Sequence, residues 1–240
     1  MKILGIEASN SVCGAVLTEN GSVLAERAID APQVHAEKLL LFIDEVFMTS
    51  SSTLSDVDGI AVSIGPGSFT GLRIGLSVAK GLAFASGKPI LAIPSLEALA
   101  VGALRRGLAI EGDLLVPLID ARRDELYAAA FLVVDGRLQP ATDSCALPVA
   151  EVPNIFRGGK RVVLLGDGAE KLQSYFLREK IDARVELHVP ALADRCASAI
   201  DVATLGEDRL RLGAVADIAS LEPMYVKEFY STLQPQPTPI

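Results

Sequence analysis

The chain has 240 residues, half of them hydrophobic and 22% charged, enough for one large domain or two small ones with a proper core. A formal charge of -8 repels a polyanion, so a broad nucleic-acid surface is excluded and any nucleic acid must be held mostly by a partner. No run reaches the roughly 20 apolar residues of a membrane span, no leader-like start is present, and Cys13, Cys145 and Cys196 are too scattered for a disulfide framework or zinc knuckle; the expected location is the cytoplasm.

Three strands open the chain, "KILGIEAS", "VCGAVLTEN" and "SVLAERAI", with Asn20-Gly21 placed as a tight hairpin turn. A helix over 33–48 follows, in which Leu39, Leu40, Ile43, Val46 and Phe47 share one face while Leu41, Phe42 and Met48 fall outside it. Apolar residues on more than one side imply burial on more than one side, in its own fold or against a second chain. "GIAVSIG" reads as a buried strand, and "GPGSFTGLRIG" leads into a helix over 70–86 with Ser68 as its cap. The strand "PILAIPS" and the helix "SLEALAVGALRR", capped by Ser95, close the first half.

The second half reads as the strand "LLVPLID", an exposed charged turn "ARRDE", the strand "LYAAAFLVVDG" with a hairpin at Asp135-Gly136, and an irregular proline-spotted stretch. Then come the strand "RVVLLGDG", the helix "AEKLQSYFLREK", the strand "ARVELHV" and one helix across "ALADRCASAIDVATLG". The order loosely repeats that of the first half, which predicts two related α/β halves: 1–109 with 206–240, and a smaller 110–205. The proline-rich end is expected to trail off as a tail.

The glycine-rich motif is neither common phosphate loop. No lysine follows Gly71 as a Walker loop requires, and the third place of a dinucleotide fingerprint is Thr70. The helix start could still attract an anion. Gly67, Gly71, Gly75, Ala79 and Ala83 recur every fourth residue, a row that predicts close approach of another helix, with the helix over 33–48 as the candidate neighbour.

In order, "ILGIEAS", "HAEKLL", "GPGSFTGLRIGLSVAKGLA", "SLEALA", "IDARRDELYAA", "GDGA" and "PMYVKE" resemble the bacterial TsaB (YeaZ) family over nearly the whole chain. The resemblance implies an actin-like fold of the sugar-kinase and Hsp70 type, with two related halves around a cleft. It implies a part in forming N6-threonylcarbamoyladenosine on tRNAs that read codons beginning with adenine. A catalytic paralogue, TsaD, transfers the group there, and an ATPase, TsaE, joins the pair. The paralogue's H-x-x-x-H metal pair is incomplete: His35 is followed four places on by Leu39, and His188 is remote, so no metal is expected and His35 reads as a local hydrogen-bonding residue.

By the same resemblance, the nucleotide positions of actin-like ATPases fall on Glu7, Ser9, Asn10, Asp120, Gly166 and Gly168, with Glu7 where the family usually has aspartate. The set lacks an obvious phosphate grip. The expectation is a non-catalytic partner of TsaD and TsaE that binds no cofactor alone, with ATP or ADP and magnesium only in the complex and tRNA only through it. The docking face is expected on the two helices over 33–48 and 70–86, with His35, Leu39, Leu41, Phe42, Gly71, Leu72, Gly75, Leu76 and Ala79 as contacts, and the same face could pair two copies. Two alternatives stay open: an autonomous actin-like ATPase or phosphotransferase, and, less favoured, a metallopeptidase.

Overall fold

The computed structural model describes residues 1–31, 33–180 and 185–226. β1 (Lys2–Glu7), β2 (Val12–Glu19) and β3 (Ser22–Asp30) form an antiparallel meander, turned at Asn20 and Gly21 with φ of 49° and 79°. β4 (Gly59–Gly65) and β5 (Ile90–Pro94) add on the other side of β1 as parallel strands, giving the order β3-β2-β1-β4-β5. β6 (Leu114–Asp120), β7 (Glu125–Val134) and β8 (Arg137–Pro148) repeat the meander, and β9 (Arg161–Leu165) and β10 (Glu186–His188) repeat the parallel pair, in the order β10-β9-β6-β7-β8. Two copies of one sheet topology are the hallmark of the actin-like fold.

Strand alternation assigns the faces. Leu4 and Ile6 point to α1 (His35–Thr49) and α2 (Phe69–Ser86), packing with Leu39, Ile43, Leu76 and Ala79. Ile3 points the other way, to α3 (Ser95–Arg105) and α6 (Ala199–Arg211), which also receive Leu115, Val163 and Leu165 from the second sheet. On that sheet's far side Leu114, Val116 and Leu164 meet Leu172 and Phe176 of α4 (Gly168–Glu179). The molecule is thus five layers, helices alternating with sheets. Asp201 of α6, wholly buried, locks the middle layer: its two oxygens take Arg105 Nε at 3.1 Å and Arg106 Nη1 at 3.0 Å from α3.

Several expectations change. The proline-spotted stretch begins as a twelve-residue strand, β8, at the sheet edge where proline is tolerated, and goes on into a 3-10 helix over Val149–Ile155 that contains Pro153. The single helix across 191–206 is two, a short α5 (Leu192–Arg195) and α6, separated by extended backbone at Cys196 and by a capping box in which Ser198 and Asp201 satisfy each other's amides. The division expected at 205/206 falls inside α6, which packs on β1, β2, β4 and β5 from its start. Pro94, not Ser95, takes the cap position of α3. Of the expected α1 stripe, Leu39, Ile43 and Val46 are buried, but Leu40 is 55% exposed. Of the tail expected over 222–240, the first residues pack on the first half instead, with Met224 N donating to Ile64 O at 2.7 Å and Arg73 Nε to Tyr225 Oη at 3.2 Å, while 227–240 lie outside the described residues; among those described no helix is long and apolar enough to cross a membrane.

Candidate functional site

The loop after β1, from Ala8 to Ser11, folds over the first turn of α2. Ser68 N donates to Ser9 O at 2.7 Å, and a Cβ at Gly67 or Gly71 would collide with Ser9 O or Ala8 O. At Gly75 a Cβ would stand 3.0 Å from the Ala8 methyl. The small-residue row is therefore a seat for the chain's own β1–β2 loop, and the expectation that it packs backbone-close on α1 is corrected. The same contacts occupy the helix start, since Ser68 Oγ also accepts from Gly71 N.

Glu7 ends β1 beneath this loop and is wholly buried. Its Oε1 accepts from Ser9 N and Ser9 Oγ, both at 2.6 Å, and from Asn10 Nδ2 and Ser63 Oγ, both at 3.3 Å. Its Oε2 finds no hydrogen-bond partner among the described residues. Burial outweighs the Ser9 and Ser63 hydrogen bonds and lifts the carboxyl from 4.5 to about 7. His35, buried at the start of α1, donates from Nε2 to Asn10 O at 3.0 Å, so it fastens α1 to the same loop.

Across the cleft, β6 ends at Asp120. Its Oδ1 accepts from Lys171 Nζ at 2.7 Å and Arg122 N at 2.9 Å, and its amide donates to Asp167 Oδ1 at 3.1 Å. Burial pushes the Asp120 carboxyl up, but the Lys171 and Arg122 contacts together hold it below its ordinary value. Asp167 keeps an open rim to solvent, yet crowding on its inner side raises its carboxyl, helped by the Asp120 charge. Gly166 and Gly168 lie against β6: a Cβ on the first would strike Leu118 O, and on the second would stand 2.7 Å from Leu126 Cδ2. Their absence of side chains serves this packing.

The two halves meet at a gap bordered by Ser9, Asn10, Ser95, Gly166, Asp167 and Cys196, with a volume of only ≈ 20 Å³. That is about one water, whereas ligand sites start near about 300 Å³. Of the expected nucleotide positions, Ser9, Asn10 and Gly166 line the gap, while Glu7, Asp120 and Gly168 do not. Ser95, Asp167 and Cys196 are additions. Ser95 is wholly buried, and its Oγ has no partner among the described residues. Its sequence signal was misleading because a serine before an apolar run reads as a cap, while the cap position is held by the preceding proline, with no side-chain capping hydrogen bond.

The outer face of α1 and α2 has a different character. Leu39, Gly71, Leu72, Gly75, Leu76, Ala79 and His35 are buried within the chain's own core and cannot reach a partner. Phe42 is half-buried against the same core. Leu41 and Met48, both read as lying off the core stripe, are 53% and 73% exposed, and sequence reasoning missed their exposed companions Leu40 and Phe84, the last 85% exposed. Among the described residues no cluster of three or more His, Cys, Asp or Glu could hold a metal.

Residues 23–226 match the family model described as TsaD: tRNA N6-adenosine threonylcarbamoyltransferase. The chain belongs to this family, among its TsaB members. It is 27% identical to tRNA threonylcarbamoyladenosine biosynthesis protein TsaB of Bacillus subtilis over 95% of this chain and 94% of that one. The TsaB protein of Escherichia coli is 34% identical over 55% of each chain, so that match spans about half of either protein. The solved structure of YeaZ from Pseudomonas aeruginosa superposes with a TM-score of 0.78 at 27% identity, covering 93% of this chain and 99% of that one. The TsaB resemblance and the actin-like fold thus stand.

Proposed function

We propose that this chain is the non-catalytic partner subunit of a TsaD-like transferase in forming N6-threonylcarbamoyladenosine, next to the anticodon of tRNAs that read codons beginning with adenine. A TsaE-like ATPase joins the pair. The observation that carries the reading is the contrast between the two surfaces. In the cleft, Lys171 takes Asp120, the donors of Ser9, Asn10 and Ser63 take Glu7, and the gap between Ser9, Ser95 and Asp167 has room for about one water. On α1 and α2, Leu40, Leu41, Met48 and Phe84 stand in solvent, large apolar side chains of the kind that drive association. The names of the relatives supply the pathway.

On this reading the isolated chain binds no nucleotide. ATP or ADP and magnesium act at the level of the complex, in the cytoplasm, and the α1–α2 face alternates between TsaD and a second copy of this chain. Reconstitution tests it: TsaD and TsaE from the same organism, a threonylcarbamoyl donor, ATP and unmodified tRNA, with and without this chain, reading the modified nucleoside by mass spectrometry. Product that requires the chain, while the chain alone neither modifies tRNA nor turns over ATP, is the expected result. Equal product without it overturns the reading.

A further inference from the structure

The turn between β6 and β7 presents Arg122 and Arg123 side by side at the end of the strand that carries Asp120. Both are exposed and both hold left-handed backbone, with φ of 66° and 51°. Non-glycine residues adopt that region at a cost, and such cost persists where surrounding structure and function require it. Their guanidinium groups are also outside ion-pair distance of a carboxylate among the described residues, although the Arg122 charge helps hold the Asp120 carboxyl down. Acidic residues exceed Lys and Arg by 30 to 22, and eight other arginines, among them Arg27, Arg161 and Arg209, lie within ion-pair distance of a carboxylate. Neither Arg122 nor Arg123 forms an ion pair among the described residues, although Asp124 adjoins them in sequence. Asp120 spends its Oδ1 on Lys171 Nζ and the Arg122 amide instead.

We propose that the Arg122–Arg123 turn is a phosphate contact through which this chain itself touches the tRNA backbone once the complex has assembled; this rests on the function proposed above. A guanidinium presents a planar fork of donors that matches a phosphate, and two on adjacent residues span neighbouring phosphates of one strand. The net charge of -8 keeps free tRNA off the isolated chain, so the contact works as a local addition to a site held by the partner. The turn belongs to the second sheet, whereas α1 and α2 cover the outer face of the first, so the two contacts do not compete for one surface.

The test uses the complex of this chain with its TsaD partner and an unmodified tRNA transcript, with binding followed across a range of KCl concentrations. Wild type is compared with three double variants: Arg122→Ala with Arg123→Ala, Arg122→Gly with Arg123→Gly, and Arg122→Lys with Arg123→Lys. The glycine pair removes the charge while relaxing the left-handed backbone. Both neutral pairs should assemble normally, and their plot of log affinity against log salt should be shallower by roughly 1.4 to 1.8, the loss of two phosphate contacts. The lysine pair should keep the wild-type slope with weaker binding, because it retains charge without the fork. An unchanged slope in both assembled neutral pairs overturns the proposal. Loss of assembly with TsaD in both neutral pairs, restored by lysine, also overturns it and makes the turn a protein contact. Failure of the functional reading appears separately, as wild-type chain that does not assemble with TsaD or is dispensable for product.

Discussion

Replacing Glu7 by glutamine should change how stability depends on pH. The wild-type carboxyl is wholly buried and titrates near 7 in the folded chain, against 4.5 as its ordinary value. Between those values the folded state holds a proton that the unfolded state has released, so stability falls as pH rises through the interval and levels off above it. At about 1.4 kcal/mol per pH unit, the full interval is worth about 3 kcal/mol. Glutamine keeps an oxygen for the Ser9 donors and cannot ionise. It also leaves an amide where Oε2 now lacks a partner, a cost of about 1–3 kcal/mol that does not vary with pH.

The informative quantity is therefore the difference between the two proteins. Urea unfolding from about pH 4.5 to about pH 8 should show the variant gaining about 3 kcal/mol on wild type, or about 6–12 °C in Tm for a chain of this size. Parallel stability curves across that range would refute the reasoning, because they would mean that the Ser9, Asn10 and Ser63 contacts keep Glu7 ionised throughout.

Other substitutions probe the remaining features. Gly71→Ala should gain about 1 kcal/mol of helix propensity but lose more to the collision with Ala8 O, a net loss on the order of 1–2 kcal/mol in denaturant unfolding; an unchanged midpoint would show that the β1–β2 loop yields freely. Leu41→Ser with Phe84→Ser should leave unfolding within about 0.5 kcal/mol of wild type yet abolish co-elution with TsaD, since both side chains already face solvent; retained co-elution would remove the docking face. Asp201→Ala leaves Arg105 and Arg106 facing an empty place in the middle layer and should cost about 3–5 kcal/mol in urea unfolding; a loss under about 1 kcal/mol would mean that the layer does not depend on the pair.

Much of the fold was legible because it rests on local signals. The Asn20-Gly21 and Asp135-Gly136 turns, the alternating strands and the Ser68 cap need only near neighbours to be recognised. The break before α6 was readable as well: Ser198 and Asp201 carry the spacing of a capping box, but the apolar periodicity around Ala203 masked it. The site was harder to read. Periodicity in the Gly67–Ala83 row announces a close approach without saying by what, and the answer, Ala8 and Ser9, lies some sixty residues away. Periodicity on α1 likewise could not separate Leu39 from Leu40, because adjacent helical positions differ by about 100° and only the location of the sheet decides which is inside. The lysine that occupies Asp120 could not be foreseen from the charged run around it, since Lys171 arrives from α4, some fifty residues further along the chain.

The position of α6 bears on how the chain is made. A ribosome delivers Ile3, Val16 and Ala61 early, but the helix that covers them emerges only after residue 199. At roughly 5–20 residues per second, the first sheet waits about 5–20 s with that face covered only by α3 while the second half is synthesised. The nascent first half is therefore exposed to aggregation or to chaperone capture until α6 has been synthesised and its lock with α3 closes.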